Sequence, residues 1–220
     1  MPEAERVLTD GGVTVWLWRL TESERELVGL WERLQSGEAL PATRSAARRC
    51  EWLAERLLIA TAMGTDARLL HKPSGAPYLE PPVPGFSISH TRGIVAIAVS
   101  NKGPVGVDVE RISHKVLRVR NRFLSPEELA LIADDDVTAN IVAWTAKEAM
   151  FKTEVSPPLC RAWPWPGRAS EGERTLAQYT LSCPASRPGQ DQALQSDGFS
   201  LWTRIIDGDC VLTVAQPTKN

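Results

Sequence analysis

Two acidic residues on a predicted strand and two charged residues on a predicted helix are the side chains best suited to chemistry in this chain. Asp108 and Glu110 alternate with valines, so a strand places both carboxylates on one face. Glu148 and Lys152 stand four residues apart, which puts them on one side of a helix. Three carboxylates and an ammonium are groups with which a protein can hold a divalent cation and a phosphate.

The predicted helix carries its charges beside an apolar stripe. Ile141, Trp144 and Ala149 recur at helical spacing, and Trp144, Glu148 and Lys152 follow one another at i, i+4 positions. Charges next to a tryptophan lose hydration energy unless a partner such as a metal or a phosphate compensates. The alternatives are an ordinary ion pair on a solvated helix face and, for the strand, a polar face turned to water.

A third string, Phe86-Ser-Ile-Ser-His90, precedes the other two and makes the set specific. Ser87 to His90 match S-x-S-H, Gly106 to Glu110 match G-[IV]-D-x-E, and Trp144 to Lys152 match W-[ST]-x-K-E-x-x-x-K. With these strings in this order, the sequence resembles the 4′-phosphopantetheinyl transferases of the broad-specificity, surfactin-synthetase-activating type. The resemblance covers roughly residues 40–155.

The resemblance implies an enzyme that moves 4′-phosphopantetheine from coenzyme A to a serine of an apo acyl carrier protein or a peptidyl or aryl carrier domain, releasing adenosine 3′,5′-bisphosphate. Asp108, Glu110 and Glu148 would hold Mg²⁺, with Mn²⁺ as the alternative. Glu148 and Lys152 would be catalytic, as proton acceptor and phosphate ligand. Two other classes stay open: another Mg²⁺-dependent phosphodiester-cleaving enzyme, and a non-catalytic module that binds carrier proteins.

The resemblance also implies a set of side chains that contact the phosphates of coenzyme A. Its members are Ser89, His90, Lys147 and an arginine of the helix predicted over residues 43–63, for which Arg48 and Arg49 are the two matches.

The loop that begins at Lys72 departs from the family pattern. Where the family usually has Gly-Lys-Pro, this chain reads Gly75-Ala76-Pro77, so the expected lysine is missing. Lys72 of the same loop is the alternative source of positive charge, and weaker binding of coenzyme A is the other interpretation.

Several elements are predicted around these strings. Strands over Phe86–Ser89, Ile94–Ser100 and Val105–Glu110 are joined by short turns, which favours an antiparallel meander. A capping box over residues 21–24 predicts a helix that ends near Gly37. Further predictions are a strand over residues 12–20, a helix capped by Ser125, a strand over residues 175–182, an exposed loop over residues 184–198, and a hairpin around Asp207-Gly-Asp209.

The predicted fold class is α+β. The resemblance implies two similarly folded halves related by a pseudo-twofold axis, with antiparallel sheets packed against long helices and the active site in the cleft between them. Residues 1–102 would supply the coenzyme A contacts, and residues 103–220 would supply the metal site and the catalytic helix.

Composition excludes several other classes. With 220 residues, 43% hydrophobic, 24% charged and a net charge of −2, the chain reads as globular and is poorly suited to general nucleic-acid binding. The polar N-terminus and the absence of a long apolar run lead us to expect a cytoplasmic protein without a membrane anchor. Four cysteines without C-x-x-C spacing are expected to be buried free thiols, and the length favours a monomer over the short trimeric carrier-protein synthases.

Overall fold

The computed structural model describes residues 3–9, 11–34, 37–153, 181, 192–196 and 198–218, with only the backbone described at 192–195. The strand predicted over residues 175–182 lies outside these residues except for Leu181, as do Cys160 and Cys183. Cys50 and Cys210, which are described, are free thiols as expected, but only Cys210 is buried, whereas Cys50 is partly exposed.

The protein is a mixed α/β fold with two four-stranded antiparallel sheets and a two-stranded hairpin. The first sheet has the order β1-β2-β6-β5 and the second has the order β7-β10-β9-β8, while β3 pairs with β4. The strands are β1 (Glu5–Leu8), β2 (Thr14–Arg19), β3 (Arg68–His71), β4 (Pro77–Glu80), β5 (Gly85–Thr91), β6 (Ile94–Ser100), β7 (Gly106–Arg111), β8 (Gln192–Ser196), β9 (Phe199–Ile206) and β10 (Cys210–Pro217).

Five α-helices and one short 3-10 helix accompany the sheets within the described ranges. They are α1 (Glu24–Leu34), α2 (Ala46–Met63), the 3-10 helix (His114–Arg118), α3 (Arg120–Phe123), α4 (Pro126–Leu131) and α5 (Val137–Lys152). None of the helices in the described part of the chain is long and apolar enough to cross a membrane.

The hydrophobic core is divided into three clusters that stack in layers. One joins α1 and α2 to the first sheet, with Leu53 of α2 packed near Val95 of β6. A central cluster contains Val15 of the first sheet and Val107 of the second, so the two sheets share it. The third joins the second sheet to α5, through residues such as Ala146. The order of layers is therefore helices, sheet, sheet, helices.

The predicted meander of three strands is wrong in its last strand. β6 pairs with β2 along one edge and with β5 along the other, so neither edge is left for β7. β7 instead pairs with β10 in the second sheet, with Asp108 opposite Thr213. This places the acidic strand in the sheet against which α5 packs.

Two other local predictions need correction. The capping box at the start of α1 is formed by Ser23 and Glu26, because Ser23 Oγ accepts the Glu26 N–H and Glu26 Oε2 accepts the Ser23 N–H. The loop predicted over residues 184–198 contains β8. The cap at Ser125 and the hairpin of β9 and β10 are as predicted.

The strands divide at the predicted boundary between residues 102 and 103. All strands of the first sheet precede it, and all strands of the second follow it. The central cluster nevertheless contains residues from both sides. The division into two half-molecules therefore stays a prediction.

Candidate active site

The acidic strand β7 packs closely against α5 because it has a glycine, which has no side chain, at the point of contact. A Cβ atom on Gly106 would lie 1.8 Å from the main-chain oxygen of Ala149, so only glycine permits this approach of strand and helix. Two residues further along, Asp108 is buried, with 4% of its surface exposed, and Glu110 is partly buried. The glycine of the G-[IV]-D-x-E string thus has a packing role.

The N-terminus and one face of α5 fix its position. Asp136 caps the helix, its Oδ1 accepting the Ala139 N–H at 2.9 Å. On the buried face, Thr145 Oγ1 lies 2.9 Å from Oγ1 of Thr213, the residue opposite Asp108 on β10. The helix is therefore tied to the sheet beside the acidic strand, and it presents Glu148 and Lys152 there.

Lys152 joins the elements of the site through its ammonium group. Its Nζ donates to Asp108 Oδ1 at 2.7 Å, to Ser89 Oγ at 3.1 Å and to the main-chain oxygen of Val107 at 3.1 Å. An ammonium has three N–H donors, so these contacts use all of them. One lysine thereby connects α5 to β7 and to β5.

The carboxylates of the site repel one another. Burial raises the pKa of Glu110 to about 7, with Asp108 adding to the shift, while Lys152 and a hydrogen bond with Trp144 oppose it. Burial likewise raises the pKa of Glu148 to about 7, with further contributions from Asp108 and Glu110. The site therefore has more negative charge than its own lysine neutralises.

For Lys152, the neighbouring carboxylates together have a larger effect on the pKa than burial has. Burial alone would lower the pKa of its ammonium, but Asp108, Glu148 and Glu110 outweigh that effect and raise the pKa. The lysine is therefore charged throughout the physiological range.

One oxygen of Asp108 is a candidate metal ligand. Oδ1 accepts hydrogen bonds from Ser89 and Lys152, whereas Oδ2 is buried and accepts none from any residue that the structure describes. A buried carboxylate oxygen without a partner is costly unless a cation binds it.

The described residues do not form a complete metal cage. No three His, Cys, Asp or Glu side chains are close enough together to hold a metal among residues 3–9, 11–34, 37–153, 181, 192–196 and 198–218. The donor set of Asp108, Glu110 and Glu148 still fits a hard cation such as Mg²⁺, which binds through one or two carboxylates and completes its shell with water and phosphate.

His90 lies at the end of β5 and faces α2. Its Nδ1 is 3.0 Å from Glu55 Oε1, and its Nε2 is 3.8 Å from Glu51 Oε2. The hydrogen bond to Glu55 raises the pKa of His90, against the opposing effect of burial. The imidazole is therefore biased toward its charged form, the form that attracts phosphate, but it already has carboxylate partners.

The two candidate arginines of α2 have different surroundings. Arg49 forms an ion pair with Glu24 of α1 and donates to the Thr43 main-chain oxygen, so it ties the two helices together. Arg48 is exposed, and its side chain has no ion pair or hydrogen bond within the described part of the chain. Of the two, Arg48 is the one left available to a ligand.

A pocket of about 230 Å³ connects the loop after β3 with the end of α5. Lys72 and Ala76 line it on the loop side, and Lys152 lines it on the other. Most of the remaining wall is apolar, with residues such as Val83 and Phe86. The alternative lysine of the loop thus shares a pocket with a residue of the site.

Lys147 does not support its predicted contact with phosphate. Its side chain is fully buried, and Nζ donates to Glu128 Oε2 and, at 2.7 Å, to the main-chain oxygen of Phe123. Burial lowers the pKa of its ammonium, and the hydrogen bond with Glu128 opposes this effect. Within the W-[ST]-x-K-E string, Lys147 therefore anchors the helix, and the next residue, Glu148, faces the site.

Two contributors were missed from the sequence. Thr213 lies on a strand to which no chemistry was assigned, and its contact with Thr145 spans 68 positions of the chain. Glu128 lies in the first turn of the helix capped by Ser125, and besides holding Lys147 it accepts the Leu181 N–H at 2.8 Å. The polar pairing partner of a buried threonine or glutamate has no local signal in the sequence.

The site contains carboxylates short of positive charge, one fixed ammonium and an adjoining pocket with a second lysine. Such groups are the ones that a metal-assisted phosphoryl-transfer site uses.

Comparison with known proteins gives a matching family model and several similar proteins. Residues 104–181 match the family model of the 4′-phosphopantetheinyl transferase superfamily, and this segment contains β7 and α5. The chain is 29% identical over 117 residues to the 4′-phosphopantetheinyl transferase AcpT of Salmonella typhimurium, an alignment that covers 48% of this chain and 58% of that protein. It is 28% identical over 142 residues to AcpT of Escherichia coli strain K12, covering 58% and 71% respectively.

These likenesses support a phosphopantetheinyl transferase enzyme. The chain spans 58% of the length of the Salmonella relatives.

Proposed function

We propose that this protein transfers 4′-phosphopantetheine from coenzyme A to a serine of an apo acyl carrier protein or of a peptidyl or aryl carrier domain. The observation that carries the proposal is the ion pair of Asp108 with Lys152, in which Oδ2 of Asp108 has no hydrogen-bond partner among the described residues. Two carboxyl groups of raised pKa lie beside this pair. All four residues belong to the segment that matches the superfamily. The names of the two relatives support the same reaction class.

In this reaction one bond to phosphorus forms and another breaks. The serine oxygen bonds to the phosphorus that carries pantetheine, and the bond from that phosphorus to the bridging oxygen breaks, so adenosine 3′,5′-bisphosphate leaves. Alignment and charge stabilisation supply most of the catalysis in such a transfer.

Glu148 is the candidate proton acceptor for the serine hydroxyl. Burial and the neighbouring carboxylates raise its pKa to about 7 in the absence of a cation, so it holds a proton more tightly than an exposed glutamate does. Lys152, held beside Asp108, supplies positive charge for the reacting phosphate and for the departing bisphosphate.

Asp108, Glu110 and Glu148 are the residues that would hold Mg²⁺, or Mn²⁺ in its place. A bound cation supplies charge neutralisation at the pyrophosphate oxygens. The mutual repulsion of these carboxylates and the unpartnered Oδ2 of Asp108 support this assignment.

For coenzyme A itself, we propose contacts from His90, from Arg48 and from Lys72. The charged bias of His90, the free side chain of Arg48 and the pocket shared by Lys72 and Lys152 support them. The finer assignments, namely the surfactin-synthetase-activating type, two half-molecules with a cleft, a monomeric state and a cytoplasmic location, are part of the same proposal.

The test is the intact mass of a panel of apo carrier proteins after incubation with this protein, coenzyme A and Mg²⁺, with EDTA as a control. We expect one phosphopantetheine to be added to at least one carrier, and EDTA to prevent the addition. Asp108→Asn should abolish it without unfolding the protein, whereas Asp134→Asn, at an exposed acid of the loop before α5, should not. Full activity of Asp108→Asn would contradict the proposal.

A further inference from the structure

The two sheets meet along a line where side-chain hydroxyls replace main-chain pairing. β5 and β7 are edge strands of different sheets, and no ladder joins them in the described part of the chain. Instead, Ser87 Oγ accepts the Val107 N–H at 3.0 Å, and Ser89 Oγ accepts the Val109 N–H at 3.3 Å. Both serines are buried, with 3% and 7% of their surfaces exposed. Each hydroxyl therefore provides the acceptor for one main-chain N–H at the buried edge of β7.

The two serines differ in what else they contact. Ser89 Oγ donates to Asp108 Oδ1 at 2.8 Å and accepts from Lys152 Nζ at 3.1 Å. Ser87 has no hydrogen bond to either of these side chains among the residues that the structure describes. Both serines therefore bind a main-chain N–H of β7, but only Ser89 also contacts the charged side chains of the site.

The hydrogen bonds of Ser89 leave its hydroxyl no spare capacity. A hydroxyl has one proton and two lone pairs, and the Val109 N–H and the Lys152 ammonium are groups that only donate. They occupy both lone pairs, so the proton is directed to Asp108. A further contact from this hydroxyl to phosphate, as the sequence suggested, would require one of these bonds to break.

These hydrogen bonds make the two carboxylate oxygens of Asp108 different from each other. Oδ1 accepts from Ser89 and from Lys152, while Oδ2 is buried with no donor from the described residues. The carboxylate is therefore held by one oxygen, and the other remains for a cation. Hydrogen bonds to a ligating carboxylate typically set its orientation and the affinity of the metal site.

We propose that Ser89 is a positioning residue: its hydroxyl holds Asp108 by Oδ1 and keeps Lys152 Nζ beside it, so that Oδ2 is the oxygen offered to the divalent cation. This inference rests on the proposed function for its role in catalysis, but its effect on cation binding is measurable without any reaction. It assigns to the last serine of the S-x-S-H string a role distinct from contact with coenzyme A.

Ser87→Ala is the matched control for Ser89→Ala. Each variant removes one hydroxyl from the same strand and deprives one β7 N–H of its acceptor, so both should lower the melting temperature, Ser89→Ala by at least as much because it loses two further bonds. Only Ser89→Ala also removes one hydrogen bond from Asp108 Oδ1 and one from Lys152 Nζ, while the direct contact between those two groups remains. Mg²⁺ alone is titrated into each folded variant by calorimetry, and transfer kinetics are then measured over a range of Mg²⁺ concentrations.

We expect Ser89→Ala to weaken Mg²⁺ binding at least about tenfold, the usual effect of losing an outer-shell partner, and to raise the Mg²⁺ concentration needed for half-maximal kcat by a similar factor. Ser87→Ala should change either value by less than about threefold. Equal Mg²⁺ affinities in the two folded variants would overturn the inference. Wild-type protein that binds Mg²⁺ but modifies no carrier would count against the proposed function, and the calorimetric comparison would still decide the role of Ser89.

Discussion

Nζ of Lys152 lies 2.7 Å from Oδ1 of Asp108, which links the last turn of α5 to the acidic strand β7. A quarter of the lysine side chain is exposed, compared with 6% of the aspartate side chain. The ion pair thus faces solvent from the lysine side, where the pocket that contains Lys72 begins.

Replacing Lys152 by methionine should remove a positive charge that offsets all three carboxylates of the site. The pKa values of Glu110 and Glu148, which the lysine lowers, should then rise further. We expect kcat for phosphopantetheine transfer to fall by about 100-fold or more, as when other charge-stabilising groups are removed. Steady-state kinetics test this, with Lys102→Met at an exposed lysine as the control. A fall of less than about threefold in Lys152→Met would contradict the assigned role.

Gly106→Ala should separate β7 from α5. The new Cβ would lie 1.8 Å from the Ala149 oxygen and 3.2 Å from the Cβ of Lys152, so the helix must shift. We expect a loss of about 1–3 kcal/mol or more in the free energy of unfolding, as in overpacked cores. Gly29→Ala in α1 meets no atom within 4 Å and should instead stabilise the protein by about 0.5–1 kcal/mol. Urea denaturation measures both, and equal effects of the two substitutions would rule out the close-packing argument.

Glu128→Ala should leave the buried ammonium of Lys147 without its counter-ion. Removing one partner of a buried pair costs about 3–5 kcal/mol, mostly because the other charge stays desolvated. In the double variant Glu128→Ala with Lys147→Met, we expect part of that loss to be recovered. Denaturation of the four members of this double-mutant cycle gives the coupling energy. Additive losses would show that the pair contributes nothing beyond its separate residues.

The pair of His90 and Glu55 should make stability depend on pH. Since the folded-state pKa of His90 is raised above its ordinary value of 6.5, the folded protein holds this proton more tightly than the unfolded chain. The stabilisation is complete below the unfolded value and is lost as pH rises through the raised one. Glu55→Gln should therefore destabilise the protein more at about pH 5.5 than at about pH 8.5. Nuclear magnetic resonance titration of the imidazole checks the direction, and a pKa below 6.5 would be the opposite result.

The strand and helix of the site could be predicted because each has a strong local pattern. Alternation with valines identifies the face that carries Asp108 and Glu110, and helical spacing places Glu148 and Lys152 together. The S-x-S-H string was also found, but the sequence could not distinguish a serine that contacts phosphate from one whose hydroxyl is fully used within the protein. The hydrogen-bond partners of Ser89 lie on β7 and α5, 19 and 63 residues further along the chain.

What the sequence could not supply are the pairings between distant segments. β7 was assigned to the wrong sheet because the edge of β6 that it would need is occupied by β2, far upstream. For Lys147 the resemblance implied a possible contact with phosphate, and nothing in the sequence indicated its buried partner Glu128, which lies 19 residues away. Choosing between Arg48 and Arg49 similarly required the position of Glu24 on α1.

The most direct test of the central claim counts two products in one reaction: phosphopantetheine added to the carrier serine, by mass spectrometry, and adenosine 3′,5′-bisphosphate released, by chromatography. The account predicts one bisphosphate for each carrier modified, and no bisphosphate when the carrier or Mg²⁺ is left out. Cleavage of coenzyme A at the same rate without a carrier would contradict it and identify a different phosphodiester-cleaving enzyme. If neither product forms while the folded protein binds a carrier, the chain is a non-catalytic carrier-binding module.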